Sequence, residues 1–172
     1  MFKILTSGCE PTRGSEFSAC VDVYASEDVT IEAGATKLVE LGISIDIDEL
    51  ISKVIPSSNV PTEYYKDEVK RFLSSHYLQL MLRSSLGKKG LILPNGVGVI
   101  DLDYKDEIKM IIHNPTTQEN LLRSGQGYRS NFRLFKINKG DRIGQITLLE
   151  HKSFLFGIET TATRTGGFGS TN

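Results

Sequence analysis

The sequence predicts an all-β fold, a sandwich or a barrel, interrupted by a short helical insertion at about residues 48–75. Short apolar segments rich in β-branched residues recur along the chain and are separated by glycines and other turn residues, as expected for strands. Between residues 48 and 75 the apolar spacing becomes that of amphipathic helices. We interpret residues 1–172 as a single domain, because a chain of this length buries roughly 70% of its unfolded surface without needing staples.

The predicted strands follow the apolar segments in order. Residues 8–16, which contain Pro11 and Gly14, are expected to form a loop. The last strand is expected after the turn at Gly140 and Asp141. The expected strands are residues 2–5, 18–25, 29–31, 37–41, 43–47, 77–82, 97–100, 108–112, 132–137 and 142–149.

The insertion is predicted to contain two helices. Apolar residues at helical spacing from Leu50 to Ile55 form the first, and Pro56 ends it. Thr62 is expected to cap the second helix. The apolar face of that helix consists of Tyr65, Val69, Phe72 and Leu73.

The segment from Leu91 to Ile112 is the most informative part of the sequence. Asn95-Gly96 predicts a two-residue hairpin turn, and the apolar runs on both sides predict paired, buried strands. Asp101 and Asp103 lie within this hairpin. An ionised carboxylate away from water is costly, so each acid is expected to be either paired or functional.

Composition excludes several functional classes. The net charge of −1 argues against nucleic acid as a ligand. Cys9 and Cys20 lack metal-ligand neighbours and no secretory signal precedes them, which favours reduced thiols and a cytoplasmic location. No apolar run approaches the roughly 20 residues that cross a bilayer.

Three polar segments are candidates for a site. Asp22 is either an edge carboxylate of its strand or functional. Arg83-Ser84-Ser85 is either a solvated turn or an anion site, since guanidinium and hydroxyl groups donate to anions. The glycine-rich segment around Phe168 is either a disordered tail or a segment that contacts phosphates and stacks on a base.

Five segments, taken in sequence order, resemble the five motifs of the trimeric dUTPase family, the deoxyuridine triphosphate nucleotidohydrolases. They are SACVDVYA, RSSLGKKG, NGVGVIDLDY, GDRIGQ and GGFGST. The resemblance implies a β-barrel or jelly roll, a homotrimer, and hydrolysis of dUTP to dUMP and pyrophosphate with Mg²⁺ as cofactor. It also implies that residues 160–172 form a flexible C-terminal arm that reaches a neighbouring subunit.

The resemblance assigns roles to the central segment. Asp101 matches the general base that activates water for attack on the α-phosphorus. Tyr104 matches the aromatic ring under the deoxyribose, which excludes a 2′-hydroxyl. The backbone around Asn95, Gly98, Val99, Ile100 and Lys109 matches the hairpin that receives uracil. Asp103 has no implied chemistry and is expected to be a structural or turn residue.

The remaining matched positions are those of the phosphates and the metal. Asp22 matches an acid that holds water ligands of a Mg²⁺ carried by the triphosphate. Arg83, Ser84, Ser85 and Gln145 match phosphate-binding positions. In the arm, Phe168 matches the ring that closes over uracil, with Gly169 and Ser170 beside the phosphates.

The sequence also departs from the family pattern. The family usually has glycine at Ser85 and often at Cys20, and Arg164 is one place out of register with the arginine of the last motif. The helical insertion and an extra stretch from Leu121 to Ser130 exceed the family core, and a virus-encoded enzyme is one setting for such inserts.

Two other hypotheses are kept open. The RSSL sequence is shared with the related dCTP deaminases, but the position of their catalytic Glu is occupied here by Ile111. The second alternative is a dUTPase-like regulatory protein that binds a partner through its insertion.

Overall fold

The computed structural model describes residues 1–56, 61–117 and 134–158. In these ranges, strands are the main elements and three short helices interrupt them. The strands are β1 (Phe2–Ile4), β2 (Thr12–Arg13), β3 (Val21–Tyr24), β4 (Val29–Glu32), β5 (Thr36–Glu40), β6 (Ile43–Ile45), β7 (His76–Leu82), β8 (Gly98–Asp101), β9 (Lys109–His113), β10 (Leu134–Ile137) and β11 (Arg142–Glu150). The helices are α1 (Ile47–Val54), α2 (Thr62–Leu73) and α3 (Ser84–Lys88), and a short 3₁₀ helix covers Ser153–Phe156.

The largest sheet has five strands in the order β2-β3-β11-β7-β8. Strand β11 pairs along seven residues of β7, from Gly144 opposite Leu82 to Glu150 opposite His76. The pairs β1-β6, β4-β10 and β5-β9 form separate two-stranded sheets, and every pairing is antiparallel. The all-β prediction is therefore confirmed as a jelly-roll-like arrangement, but the described strands do not close into a barrel.

The core forms because alternate residues of the strands point inward. Leu78 and Leu80 of β7 and Ile146 of β11 are almost completely buried, as are Met110 and Ile112 of β9. All five belong to the same hydrophobic cluster. The residues between them on β7 and β9 are less buried, and two of these, Lys109 and Ile111 of β9, line the candidate site.

The helical insertion is confirmed, and it contributes to the core. The Asp46 side chain accepts a hydrogen bond from the Glu49 amide and caps α1. Leu50 of α1 and Phe72 of α2 are 2% and 7% exposed, and both belong to the core cluster. The predicted cap at Thr62 is wrong, because Pro61 holds the cap position and Thr62 is the first helical residue.

The predicted hairpin at Asn95-Gly96 is also wrong. The Gly96 amide donates to the Leu93 carbonyl, so Pro94 and Asn95 are the central residues of a four-residue turn. Proline suits the first central position because its φ is already fixed. The strands that follow do not pair with each other: β8 pairs with β7, whereas β9 pairs with β5.

Two further observations complete the fold. Residues 12 and 13, expected to be loop, form the short edge strand β2 beside β3. None of the helices in the described ranges is long and apolar enough to span a membrane.

The burial of Phe72 generates a prediction about the insertion. Phe72→Ala removes a large core side chain and should lower the free energy of unfolding by about 3–5 kcal/mol. Tyr64→Ala is the matched control on the same helix, because Tyr64 is 58% exposed, and its effect should stay within about 0.5 kcal/mol. Urea unfolding followed by circular dichroism measures both. Equal effects would show that α2 does not stabilise the core.

Candidate active site

Six of the predicted substrate-binding residues line one small pocket beside β8. The pocket has a volume of about 210 Å³ and is completed by apolar side chains that include Leu80 and Ile111. The six residues are Asn95, Gly98, Val99, Ile100, Tyr104 and Lys109. A pocket of this size is smaller than the roughly 300–1,000 Å³ typical of drug-sized ligand sites, and it suits a single-ring base.

Strand β8 gives this pocket a wall of backbone. It is the last strand of the five-stranded sheet, and β7 is its only partner among the described strands. An edge strand directs one row of amide and carbonyl groups away from its neighbour. Gly98 packs tightly on β7, since a Cβ atom there would be 3.0 Å from the Leu80 Cβ. The wall can therefore offer donors and acceptors at fixed spacing to a planar ligand.

Tyr104 lies where the loop after β8 folds over the pocket. Its side chain is 8% exposed, and its hydroxyl donates to the Glu107 carbonyl at 3.1 Å. Its amide donates to the Asp101 carbonyl, also at 3.1 Å, which closes a turn. Hydrogen bonds at both the backbone and the hydroxyl thus hold the ring in a defined place.

Lys109 is paired with an acid of the neighbouring strand β5. Its ammonium lies 2.7 Å from a Glu40 carboxylate oxygen. The hydrogen bond to Glu40 is the main cause that raises the pKa of Lys109, with smaller contributions from Glu107 and Tyr104. Because Glu40 engages the ammonium, Lys109 contributes to the pocket mainly through its backbone and methylene groups.

Asp101 ends β8, where it lies opposite Tyr77 of β7. Its side chain is exposed, as is that of Asp103, which lies in the following turn. The expectation that both acids are buried in a hairpin is therefore wrong. The strand ends at Asp101, and the chain leaves the sheet there, so the carboxylate reaches solvent.

A second group of predicted residues gathers where β3, β7 and β11 meet. The Arg83 Nε lies 3.1 Å from one oxygen of Asp22, and the Arg142 Nη1 lies 3.3 Å from the other. Gln145 of β11 is directly opposite Asp22. Asp22 is only 13% exposed, whereas Ser84 and Ser85 are exposed at the start of α3. The guanidinium, amide and hydroxyl groups together form a donor-rich surface suited to an anion.

Sequence reasoning missed Arg142 as a member of this group. In a regular strand, residues 142 and 145 point to opposite faces. A register shift between Arg142 and Gly144 changes this, so Arg142 is opposite Tyr24 and Gln145 is opposite Asp22. Such a bulge re-aims one side chain. The glycine at 144 was a weak signal for it.

Asp101 and the donor group around Arg83 lie at opposite ends of β7, and Gly98 of the pocket lies between them, opposite Leu80. Asp101 is opposite Tyr77, near the first residue of β7, and Arg83 directly follows the last residue, Leu82. Six residues of extended chain span roughly 20 Å. One copy of the chain therefore presents two separate partial sites.

The residues around Asp22 fit a metal ion that keeps most of its own ligands. Within the described ranges, no group of three or more His, Cys, Asp or Glu side chains could hold a metal ion. Asp22 offers a single carboxylate, and both of its oxygens contact arginines. This donor set suits a Mg²⁺ that keeps its water and phosphate ligands rather than one held in a protein cage.

Several predicted positions lie outside the described residues. They are Phe168, Gly169, Ser170, Arg164, the arm from 160 to 172 and the extra stretch from Leu121 to Ser130.

Comparisons with known proteins place this fold and site in context. No protein-family model matches the chain. Among solved structures, it resembles the dUTPase of Streptococcus mutans with a TM-score of 0.58 and 24% identity, covering 87% of this chain and 94% of the other. It also resembles the dUTPase of phage phi11 of S. aureus, described with a species-specific insert, with a TM-score of 0.61 and 16% identity over 99% and 97% of the two chains. These similarities establish the fold.

Sequence relatives are more specific. The deoxyuridine 5'-triphosphate nucleotidohydrolase of Yarrowia lipolytica is 30% identical over 167 residues, covering 94% of this chain and 80% of the relative. The one from Rickettsia akari is 31% identical over 172 residues, with 96% and 89% covered. That of Paramecium bursaria Chlorella virus 1 is 28% identical over 174 residues, with 98% and 94% covered. The chain belongs to the family of deoxyuridine 5'-triphosphate nucleotidohydrolases, the dUTPases.

Proposed function

We propose that this protein hydrolyses dUTP to dUMP and pyrophosphate, in the cytoplasm, as a Mg²⁺-dependent homotrimer. Such an enzyme keeps uracil out of DNA and supplies dUMP for nucleotide metabolism. The observation that carries the proposal is the small pocket beside β8, where six predicted substrate-binding residues meet at a strand that ends in Asp101.

Asp101 is the proposed general base. An exposed carboxylate at a strand end can accept a proton from water. The activated water attacks the α-phosphorus and pyrophosphate leaves. Asp103, which is equally exposed but lies in the turn beyond the strand, has no role in this step.

The pocket selects the nucleoside. The backbone edge of β8, with Asn95 and Lys109 nearby, is proposed to pair with the polar edge of uracil. Cytosine presents the opposite polarity at two positions, so it would leave buried groups unpaired, a mismatch that can discriminate by about 10⁴-fold. The buried ring of Tyr104 occupies the space that a 2′-hydroxyl would need.

The surface around Asp22 is proposed to receive the triphosphate. Arg83, Ser84, Ser85 and Gln145 supply donors, and we add Arg142 because it contacts the same carboxylate as Arg83. Asp22 would hold water ligands of Mg²⁺, which when bound neutralises phosphate charge. Phe168, Gly169 and Ser170 of the C-terminal arm are proposed to close over the bound nucleotide.

The distance between the two partial sites supports the homotrimer. Asp101 and the donors around Arg83 must reach the same triphosphate, yet they lie roughly 20 Å apart along β7. Joining Asp101 of one copy to Arg83 of the next brings them together. Repeating that contact around a threefold axis is a closed, heterologous ring.

The dCTP deaminase hypothesis loses support from the pocket itself. Those enzymes need a carboxylate on the strand after the central acid, and Ile111 occupies that position here. The Ile111 side chain lines the pocket, so the pocket wall is apolar where the deaminase requires Glu.

A second function, binding of a regulatory protein partner, is favoured by a larger cavity. A cavity of about 980 Å³ lies between helix α2 and the loop after β8. Its lining includes Lys66 and Lys70 of α2 together with Asp101 and Tyr104. Lys3 and Lys105 are also in the lining, so cations outnumber acids. We propose that an acidic polypeptide segment binds there and acts on catalysis through the shared Asp101–Tyr104 turn.

Asp101→Asn should reduce kcat for dUTP by about 10²- to 10⁴-fold, because the amide cannot accept the proton of the attacking water. Binding of a non-hydrolysable dUTP analogue, measured by calorimetry, should be retained. Asp103→Asn is the matched control and should leave kcat unchanged. Pyrophosphate release from dUTP, dCTP, dTTP and UTP gives the specificity, and ammonia released from dCTP would contradict the proposed reaction.

The shared site can be tested by mixing two inactive variants. Asp101→Asn and Arg83→Ala chains, refolded together at equal amounts, should recover about one quarter of wild-type activity, because one site in four receives both native residues. Light scattering checks the trimer. As a control, wild-type chains mixed with the double variant should also keep about one quarter if the site is shared, but about one half if it is not. No recovery in the first mixture would refute the shared site.

The partner hypothesis predicts a charge-dependent effect on catalysis. A protein captured from the cell of origin and then purified should change the dUTP turnover of the wild-type enzyme. Lys66→Glu/Lys70→Glu should keep its own turnover but lose the response, since the reversed charges repel an acidic segment. A purified partner that acts equally on both enzymes would show that the cavity beside α2 is not its binding site.

A further inference from the structure

A hydrogen bond to the Glu107 side chain occupies the bulge between the end of β5 and the start of β6. Ile108 accepts a hydrogen bond from the Leu41 amide at 3.1 Å and donates one to the Ile43 carbonyl at 2.8 Å. Gly42, which lies between Leu41 and Ile43, therefore bulges out of the ladder, and its amide does not take part in the backbone hydrogen bonds to Ile108. The Glu107 carboxylate accepts from this amide at 2.7 Å. A charged acceptor makes this bond stronger than a neutral one.

Gly42 is a fixed point in the structure. Its φ is +65°, and an added Cβ would be 2.8 Å from the Thr6 Cβ and 2.9 Å from the Cys9 Cβ. Its carbonyl accepts from the amides of both Leu5 and Thr6. A backbone that is packed on one side and hydrogen-bonded on the other can hold a loop attached to it in place.

Glu107 connects this fixed point to the pocket. Its side chain binds Gly42, and its carbonyl accepts from the Tyr104 hydroxyl at 3.1 Å. The Tyr104 amide in turn binds the Asp101 carbonyl. Three hydrogen bonds therefore lead from Gly42 to the end of β8, and each is made by a residue of the loop that follows that strand.

We propose that Glu107 is a positioning residue for sugar selection: its carboxylate ties the loop to Gly42 and thereby sets the place of the Tyr104 ring. The inference rests on the proposed role of Tyr104 in excluding a 2′-hydroxyl. Without the hydrogen bond between the Glu107 carboxylate and Gly42, the Glu107 carbonyl that accepts from the Tyr104 hydroxyl can shift. The ring then moves with it, and the space that a ribose needs becomes available.

The test compares kcat/KM for dUTP and UTP. Glu107→Ala should lower the dUTP-over-UTP ratio by about tenfold or more, within the range expected for a displacement near 1 Å. Glu107→Gln should keep the ratio near the wild-type value, because the amide oxygen still accepts from Gly42. Asp106→Ala is the matched control: it removes an exposed acid of the same loop and should not change the ratio.

Further variants separate this inference from the role of Tyr104. Glu107→Asp keeps the charge but shortens the reach to Gly42, so its ratio should fall as in Glu107→Ala, and it serves if the alanine variant does not fold. Should Tyr104→Ala lower the ratio while Glu107→Ala and Glu107→Asp do not, the positioning role is refuted and the role of Tyr104 stands. Should Tyr104→Ala leave the ratio unchanged, the role of Tyr104 is refuted, and the inference with it.

Discussion

Strand β7 is the element on which the arrangement of the site depends. It is hydrogen-bonded on one side to β11 along seven residues and on the other to β8 along four. The pairing with β8 determines where Asp101 lies. Strand β11, which pairs with β7 on one side, pairs with β3 on the other and so brings Gln145 and Arg142 towards Asp22. Because Arg83 follows the last residue of β7, a single strand sets both the position of the proposed base and that of the phosphate donors.

The sequence predicted most of the described strands for a clear reason. Period-two apolar patterns report burial, and the turn residues between them report where strands stop. Resemblance to family motifs then identified residues that lie together in the pocket, such as Gly98 and Tyr104. Both kinds of information are local, and local patterns are what a single sequence carries most directly.

Apart from the local shift of the cap from Thr62 to Pro61, what the sequence left open has the opposite property, because it depends on contacts between distant segments. The sequence around Asn95 does not specify that β8 pairs with β7 rather than with β9. Likewise, the bulge that turns Arg142 towards Asp22 is visible only in the register with β3. The hydrogen bond from Gly42 to Glu107 joins residues 65 positions apart. Strand partners, bulges and long-range caps arise from tertiary packing, so sequence patterns leave them open.

The burial of Leu50 and Phe72 has a consequence for how this protein can change over evolutionary time. An insertion that stays on the surface can be lost as easily as it was acquired. Once its side chains fill the core of the host domain, deletion leaves apolar surface and empty volume that other substitutions must first repair. Loss of the two helices would therefore cost stability even in a lineage that uses them for no other purpose.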